Sequence, residues 1–211
     1  LGDVYKRQKY NTEGLSVSDF RRKQVDTFIY NLKLELDEFN NRNNRFVQLG
    51  ISPTGVYKNA NSQTEANTPI EDYIFDSNGN LVYPTGATTG CQMHYESYLY
   101  CDTLKWVNNE WINYILPQTY WAQNHSLAPY ERLINWWNQA VSKKNVNLYA
   151  GMGIYMWLTN TNEAYEQLVI NDALEHVKGT SIYSYKQIAA AYNNTDVSAK
   201  EQMNDIKNYV W

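Results

Sequence analysis

The sequence predicts an α/β fold built on a parallel sheet, a partial TIM (β/α)8 barrel, and three features point there. Helix-like and strand-like stretches alternate, one helix first and then strand and helix four times over. The strand-like stretches scarcely alternate apolar with polar, as strands do when both faces are buried and helices join them. The residues best equipped for chemistry follow consecutive strands at the same end, at 52–59, 118–121 and 155–157. Four such strands suit a small open sheet or half of an eight-stranded barrel. A barrel brings all its strand ends to one mouth, where active sites are built, whereas an open sheet spreads them along an edge.

Ser18 and Asp19 can cap a first helix that runs to about residue 39, and Val25, Phe28, Ile29, Leu32 and Leu36 draw one apolar stripe along it. The Asn-rich stretch 40–44 stops it. Residues 46–51 then read as a buried strand, ended by the turn residues Ser52, Pro53, Thr54 and Gly55. From 56 to 92 the composition shifts to Asn, Thr, Gly, Ser and Pro, a loop long enough to be functional or disordered. Within it, 74–83 can fold as a small hairpin about Asp76-Ser77-Asn78-Gly79. Helix returns at about 95–109, with Tyr95, Leu99 and Trp106 on one side, and leads into a strand that opens at Ile112.

A helix follows at 129–142, with Pro129 at its first position and Tyr130, Leu133, Ile134, Trp137 and Val141 facing inward. Residues 146–155 form a strand interrupted by Gly151 and Gly153. A helix then spans 163–177, closed by Gly179, and 180–184 is the last short strand. The tail reads as one or two helices with a break near 193–196. Trp106, Trp111, Trp136 and Trp137 lie on or beside helices and are expected in the core.

The stretch 112–121 organises the chain. Its apolar run has the length of a buried strand, and Pro117 is expected to end it because a missing N–H cannot continue a central ladder. Beyond it Gln118 offers a donor and an acceptor, Tyr120 a hydroxyl on a flat ring, and Trp121 a wide apolar face with one N–H. That combination suits a sugar, with hydroxyls on its edge and C–H groups on its faces. A buried aromatic corner, with Gln118 serving neighbouring backbone groups, would use the same residues.

With a net charge of −4 over 211 residues there is no basic footprint for nucleic acid. No apolar run approaches the roughly 18 residues of a bilayer span. Seven Trp and nineteen Tyr raise the aromatic content to 15%, which fits packing or binding through rings. Cys91 and Cys101 stand ten apart without a Cys-x-x-Cys pattern and are expected as unpaired thiols, and His94, His125 and His176 make no zinc spacing. No cofactor is expected.

Glycoside hydrolysis usually needs two carboxylates, and none stands at a predicted strand end. The acids lie in helices (Glu35, Asp37, Glu38, Asp102, Glu110, Glu163, Glu175) or in the long loop (Glu65, Glu71, Asp72, Asp76). Asp102, among apolar and aromatic neighbours, reads as a structural hydrogen bond or ion pair. No phosphate loop, Ser/His/Asp order or reactive-Cys setting is visible. Catalytic groups are therefore expected outside this chain. Residues 3–8, Asp-Val-Tyr-Lys-Arg-Gln, resemble the translation of a sequencing-library adaptor, so 1–8 is set aside as an artefact and the natural protein is expected to begin upstream of Lys9.

Several pieces in order carry a family resemblance: Asp19-Phe-Arg-Arg22, Leu49-Gly-Ile-Ser-Pro-Thr-Gly-Val-Tyr-Lys-Asn59, Leu99-Tyr-Cys-Asp-Thr103, 111–121, Trp136-Trp137 and Leu148-Tyr-Ala-Gly151. Across nearly all of 18–184 the chain resembles the bacterial glycosyl hydrolase-like 10 family. The resemblance implies an eight-stranded barrel of which 9–192 holds strands 5 to 8, with 56–92 as a long loop at the mouth and 193–211 as a helical tail. It implies cleavage of a bacterial glycan, peptidoglycan strands above all, outside the cell or in the cell envelope. The acids would be a pair at the end of the fourth strand, upstream of this chain.

On that basis Gln118 and Tyr120 would contact hydroxyls, and Trp121 would stack beneath a sugar, with Tyr155 and Trp157 as further stacking residues. Ser52 and Asn59 would hold the mouth or the substrate, and Arg21 or Arg22 would orient the acids. Phe20 replaces the family's usual Trp, Thr54 a Phe, Lys58 an Arg and Asn113 an Asp; Lys58 cannot form the bidentate fork of Arg. The loop after Asn59 is longer than the family pattern requires, so substrate choice can differ. A noncatalytic sugar-binding barrel and a complete small α/β interaction domain are the competing readings.

Overall fold

The structure, a computed structural model, describes residues 9–68, 75–81, 88, 90–96 and 99–209. The adaptor-like residues 1–8 lie outside this range, as do Glu71, Asp72 and the outer residues of the expected hairpin. Its centre is described: Phe75 bridges Leu81 antiparallel, and the Asp76 carboxylate closes the turn by accepting the N–H groups of Asn78 and Asn80.

Four parallel strands lie side by side in chain order: β1 (Gly50–Ile51), β2 (Tyr114–Ile115), β3 (Asn147–Gly153) and β4 (Val177–Tyr183). Ile51 pairs with Ile115, Ile115 with Leu148 and Leu148 with Val177. Right-handed crossovers that always step the same way keep their helices on one face of the sheet. This is the mixed α/β class the sequence predicts, with a sheet compatible with part of a barrel wall.

Side chains on β3 show the two faces. Leu148, Ala150 and Met152 are completely buried, while Tyr149 between them is half-buried. The helix-facing layer comprises Ile115, Leu148, Ala150 and Met152 together with α4 (Tyr130–Val141) and α5 (Glu163–Ala173). Tyr130, Leu133, Ile134, Trp137 and Val141 of α4 all point inward, as their spacing requires. Each such side chain stabilises the fold by about 1.5–3 kcal/mol relative to exposure. Trp106, Trp136 and Trp137 are core residues, and Trp111 is half-buried beside the core. The opposite face carries Tyr114 against Tyr149, edge to face at 5.6 Å.

Several boundaries differ from the sequence expectation. The first helix, α1 (Val17–Asn43), is capped by Ser16, whose hydroxyl accepts the Asp19 N–H, and it ends with Asn44 in the left-handed region at φ 47°. Its buried residues are Phe20, Arg22, Asp26 and Ile29, whereas Phe28 and Leu32 of the expected stripe are exposed. Polar partners set that face. Asp26 accepts hydrogen bonds of 2.7 Å from Trp106 Nε1 and from Lys105 Nζ, and Arg22 lies 4.2 Å above the Tyr95 ring.

The strand expected over 46–51 shrinks to Gly50–Ile51, with Phe46 80% exposed, because the Asn40 side chain clamps both backbone groups of Val47 into a turn. The helix expected over 95–109 shrinks to α3 (Thr103–Asn108), capped by Asp102. Its expected first turn is instead tied to the loop after β1: His94 N–H donates to Val56 O and Tyr95 N–H to Tyr57 O. That loop also holds α2 (Gln63–Ala66).

β2 ends at Ile115, short of Pro117 as expected, but isolated bridges continue its register beyond the proline. Gln118 N–H donates to Pro53 O and Gly151 N–H to Pro117 O, so pairing runs on past the single missing donor. Pro129 caps α4 from outside rather than opening it. α5 stops at Ala173, because Leu174 turns extended, and Gly179 lies within β4 instead of closing a helix. The tail forms α6 (Tyr185–Tyr192) and α7 (Val197–Asn208), broken where expected.

Candidate functional site

At the C-terminal end of the sheet a row of residues continues the strand register: Thr54 bridges Gln118, and Gln118 bridges Gly151. The Gln118 amide nitrogen donates to the Ser52 carbonyl at 3.1 Å, binding the two expected mouth residues to each other; Ser52 itself is exposed. Thr119 turns inward, wholly buried, and donates to Gly151 O at 3.0 Å. By alternation Tyr120 then lies over β3. A Cβ on Gly153 would stand 2.6 Å from both Cβ and Cγ of Tyr120, so the absence of a side chain at 153 makes room for this ring.

Three tyrosines meet there. Tyr120 and Tyr183 stack with centroids 5.3 Å apart and planes 15° from parallel, and Tyr155 stands edge-on to both, at 6.0 and 5.7 Å. Tyr155 and Tyr183 are about half exposed. Burial, with the neighbouring phenols Tyr155 and Tyr183 adding to it, pushes the Tyr120 hydroxyl up to about 12, so it stays a neutral donor and acceptor at physiological pH. Flat faces and neutral hydroxyls at one strand end match the edge and face chemistry of a sugar.

Tyr183 is the member the sequence reading missed. The signal was available, since it precedes Ser184 at the end of the last predicted strand and obeys the same strand-end rule as Tyr120 and Tyr155.

The other expected site residues are placed as follows. Trp121 is half-buried; its ring closes over Gly55, where a Cβ would come within 2.9 Å, and lies 6.0 Å from the His125 ring. Trp157 is 2% exposed and donates its indole N–H to Tyr120 O at 3.1 Å, so it presents no face for stacking and instead supports Tyr120 from below. A 3-10 turn, Ile154–Met156, rotates it inward.

Asn59 spends its side chain on the loop, donating to Cys91 O at 2.7 Å and accepting from Cys91 N–H. Arg21 donates to the Tyr100 hydroxyl at 3.0 Å, and Arg22, buried, donates to Tyr95 O and pairs with Asp19. Both arginines thus fasten α1 to the 95–100 segment, away from the tyrosine cluster's own contacts.

None of the residues gathered at the strand ends is acidic. The buried carboxylates are occupied elsewhere. Glu163 accepts from Gln123 N–H and Gln167 Nε2, and Asp26 binds α3. Asp102 accepts the Tyr57 hydroxyl at 2.8 Å and the Lys105 N–H. Burial holds the Asp102 carboxyl above the usual carboxylate range, the Tyr57 bond working against it. This is the structural hydrogen bond expected for Asp102. His94, completely buried, contacts Thr54 Oγ1 at 3.2 Å through Nδ1 and Thr103 Oγ1 at 2.7 Å through Nε2. It thereby pins the mouth loop to the start of α3.

Among the described residues no three His, Cys, Asp or Glu side chains could hold a metal ion, and no helix is long and apolar enough to cross a membrane. Cys91 and Cys101 are free thiols.

Comparison with known proteins identifies the family. Glycosyl hydrolase YngK of Bacillus subtilis is 28% identical over 194 residues, 88% of this chain and 33% of that protein. Glycosyl hydrolase DigH of Escherichia coli K12 is 28% identical over 196 residues, 87% of this chain and 39% of that protein. DigH of Escherichia coli O6:H1 matches to the same extent. The chain therefore spans between a third and two-fifths of the length of these relatives. The family model described as glycosyl hydrolase-like 10 matches residues 3–170, and the chain belongs to that family.

Proposed function

We propose that this chain is the C-terminal half, strands 5 to 8, of a (β/α)8 glycoside hydrolase that cleaves a bacterial glycan, with peptidoglycan strands as the substrate class. The observation that carries the reading is the neutral aromatic and amide cluster of Gln118, Tyr120, Tyr155 and Tyr183 at the C-terminal ends of parallel strands, in a chain of a glycosyl hydrolase-like family. Tyr155 and Tyr183 offer faces to the sugar. Gln118 and the Tyr120 hydroxyl contact its edge, Trp121 and Ser52 border it, and Trp157 and Gly153 fix where Tyr120 stands.

Hydrolysis then proceeds with two carboxylates flanking the scissile bond. One protonates the leaving oxygen, and the other either activates water or attacks the anomeric carbon. Both acids come from the strand that precedes α1. The protein works in the cell envelope or outside the cell.

One observation favours a second reading: among the described residues no carboxylate joins the strand-end cluster, as in a barrel that binds glycans without cutting them. The two part on the DNA upstream of the codon for Lys9. Four more strands, with paired Asp or Glu at the end of the one nearest Lys9, support the hydrolase. The same strands without those acids leave a binding barrel, and a start codon close to Lys9 overturns both.

A further inference from the structure

The loop after β2 carries Tyr120 and Trp121, and the loop after β3 carries Tyr155 and Trp157. Two buried side chains from helices that contribute no ring to the tyrosine cluster tie these loops together. Glu163, on the first turn of α5, is 4% exposed. It accepts the Gln123 N–H at 2.7 Å from the first loop and the Asn160 side-chain amide at 3.3 Å from the second. Gln202, on α7, is 2% exposed; it donates to the carbonyls of Leu158 at 3.3 Å and Asn160 at 2.6 Å and accepts the Ala164 N–H at 3.2 Å. The helical tail is thereby bonded to the same short segment that turns Trp157 under Tyr120.

Gln167 completes the link. It is wholly buried one turn after Glu163, and its amide nitrogen donates both to Glu163 at 2.8 Å and to Trp121 O at 3.2 Å. Its amide oxygen has no partner among the described residues. A buried carbonyl left unbonded is costly, and rotating the amide would satisfy nothing without losing both donations. The network therefore holds the Trp121 backbone at the expense of Gln167's own oxygen, which a helix that needed only to pack would not do. Among the described residues no cation pairs with Glu163; it serves three donors, from two loops and its own helix.

We propose that Glu163 and Gln202 are positioning residues for the glycan platform: they fix the loop of Trp121 against the loop of Tyr155, so that a sugar chain meets the two rings at one spacing. The proposal rests on the glycan-cleaving reading above and adds to it that affinity for the glycan is set from α5 and the C-terminal tail.

The test uses the natural full-length protein and peptidoglycan glycan oligosaccharides. Glu163→Leu and Gln202→Leu each cut the link. Each is expected to raise KM about tenfold with kcat held within about twofold, because rings that meet the sugar equally in ground and transition states change only binding. Glu163→Gln keeps an acceptor for the Gln123 N–H and the Gln167 amide, and is expected to return KM to within about twofold of the parent. A residue that served the fold alone would lower the folded fraction, and with it kcat, at an unchanged KM.

That outcome, or a Glu163→Gln protein with a KM as high as that of Glu163→Leu, would overturn the proposal while leaving the hydrolase reading intact. Should a leucine variant fail to fold, Gln167→Met removes only the bonds to Trp121 O and Glu163 at matched volume, and the same KM rise or its absence decides. If the parent cuts no oligosaccharide, the hydrolase reading fails instead, and calorimetric titration with the same oligosaccharides decides the positioning. Affinity about tenfold weaker in the leucine variants and kept in Glu163→Gln upholds it. Unchanged affinity in the leucine variants, or no binding by the parent, sinks it.

Discussion

Replacing Gly153 by alanine puts a methyl group where Tyr120 already stands. The built Cβ falls 2.6 Å from Cβ and Cγ of Tyr120 and 3.0 Å from Cδ1, well inside any ordinary carbon–carbon contact. Gly153 has φ −106°, a region open to every residue, so the cost does not come from the backbone. It comes from moving a ring that is stacked on Tyr183 and whose carbonyl receives the Trp157 indole.

Overpacking of this kind costs about 1–3 kcal/mol, which for a chain of this size lowers Tm by roughly 3–10 °C. Gly179→Ala is the control on the neighbouring strand, since its Cβ meets the Tyr149 ring at an ordinary 3.4 Å. Thermal unfolding of both variants, with a double-mutant cycle against Tyr120→Gly, measures the effect. The expected result is a Tm loss confined to Gly153→Ala and a coupling to position 120 of about 1–3 kcal/mol. A Gly153→Ala protein as stable as the parent, or a loss that Tyr120→Gly does not change, would refute the placement of Tyr120 over β3.

His94 is buried neutral, and burial pulls its pKa from 6.5 down to about 4. The unfolded chain takes up the proton first, so stability is complete above about pH 6.5 and falls between about 6.5 and 4, by about 3 kcal/mol at most. Asp102, held above its usual range, acts in the opposite sense at the acid end. Urea titrations of the parent and of His94→Gln across pH 4–7 therefore isolate the histidine, and parallel pH profiles would contradict its neutral burial. Asp26→Ala strands the Trp106 indole N–H in the core and removes the partner of Lys105; a loss of about 2–4 kcal/mol is expected in urea unfolding, with Asp26→Asn less affected. Tyr57→Phe leaves Asp102 without its hydroxyl donor and is expected to cost about 1–3 kcal/mol by the same assay, whereas an unchanged midpoint would deny that bond any structural weight.

The parts legible in the sequence are those whose local pattern and tertiary environment agree. α4 has an amphipathic repeat and a proline at its start, and every residue expected to face inward is buried. The parallel order and the break in the tail were readable for the same reason. α1 misled because its buried face is chosen by Asp26 and Arg22, which find partners in Trp106, Lys105 and Tyr95 that no spacing rule can foresee.

The start of α3 was misplaced because His94 and Tyr95 pair with Val56 and Tyr57, residues nearly forty positions away. At the candidate site, strand-end position was enough to place Gln118, Tyr120 and Tyr155 at the C-terminal end of the sheet. The inward turn of Trp157 depended on one short 3-10 segment, and the side chain of Asn59 depended on where the long loop returns. Neither is encoded in local periodicity.

The central claim is that these strand ends form half of a glycan-cleaving site. The most direct measurement is reducing-end release from peptidoglycan glycan strands by the natural full-length protein, read beside variants of the paired acids at the end of the strand before α1. The account predicts steady release that falls to background when either acid is replaced by its amide. Glycan binding with no release, or release that survives loss of both acids, would contradict it.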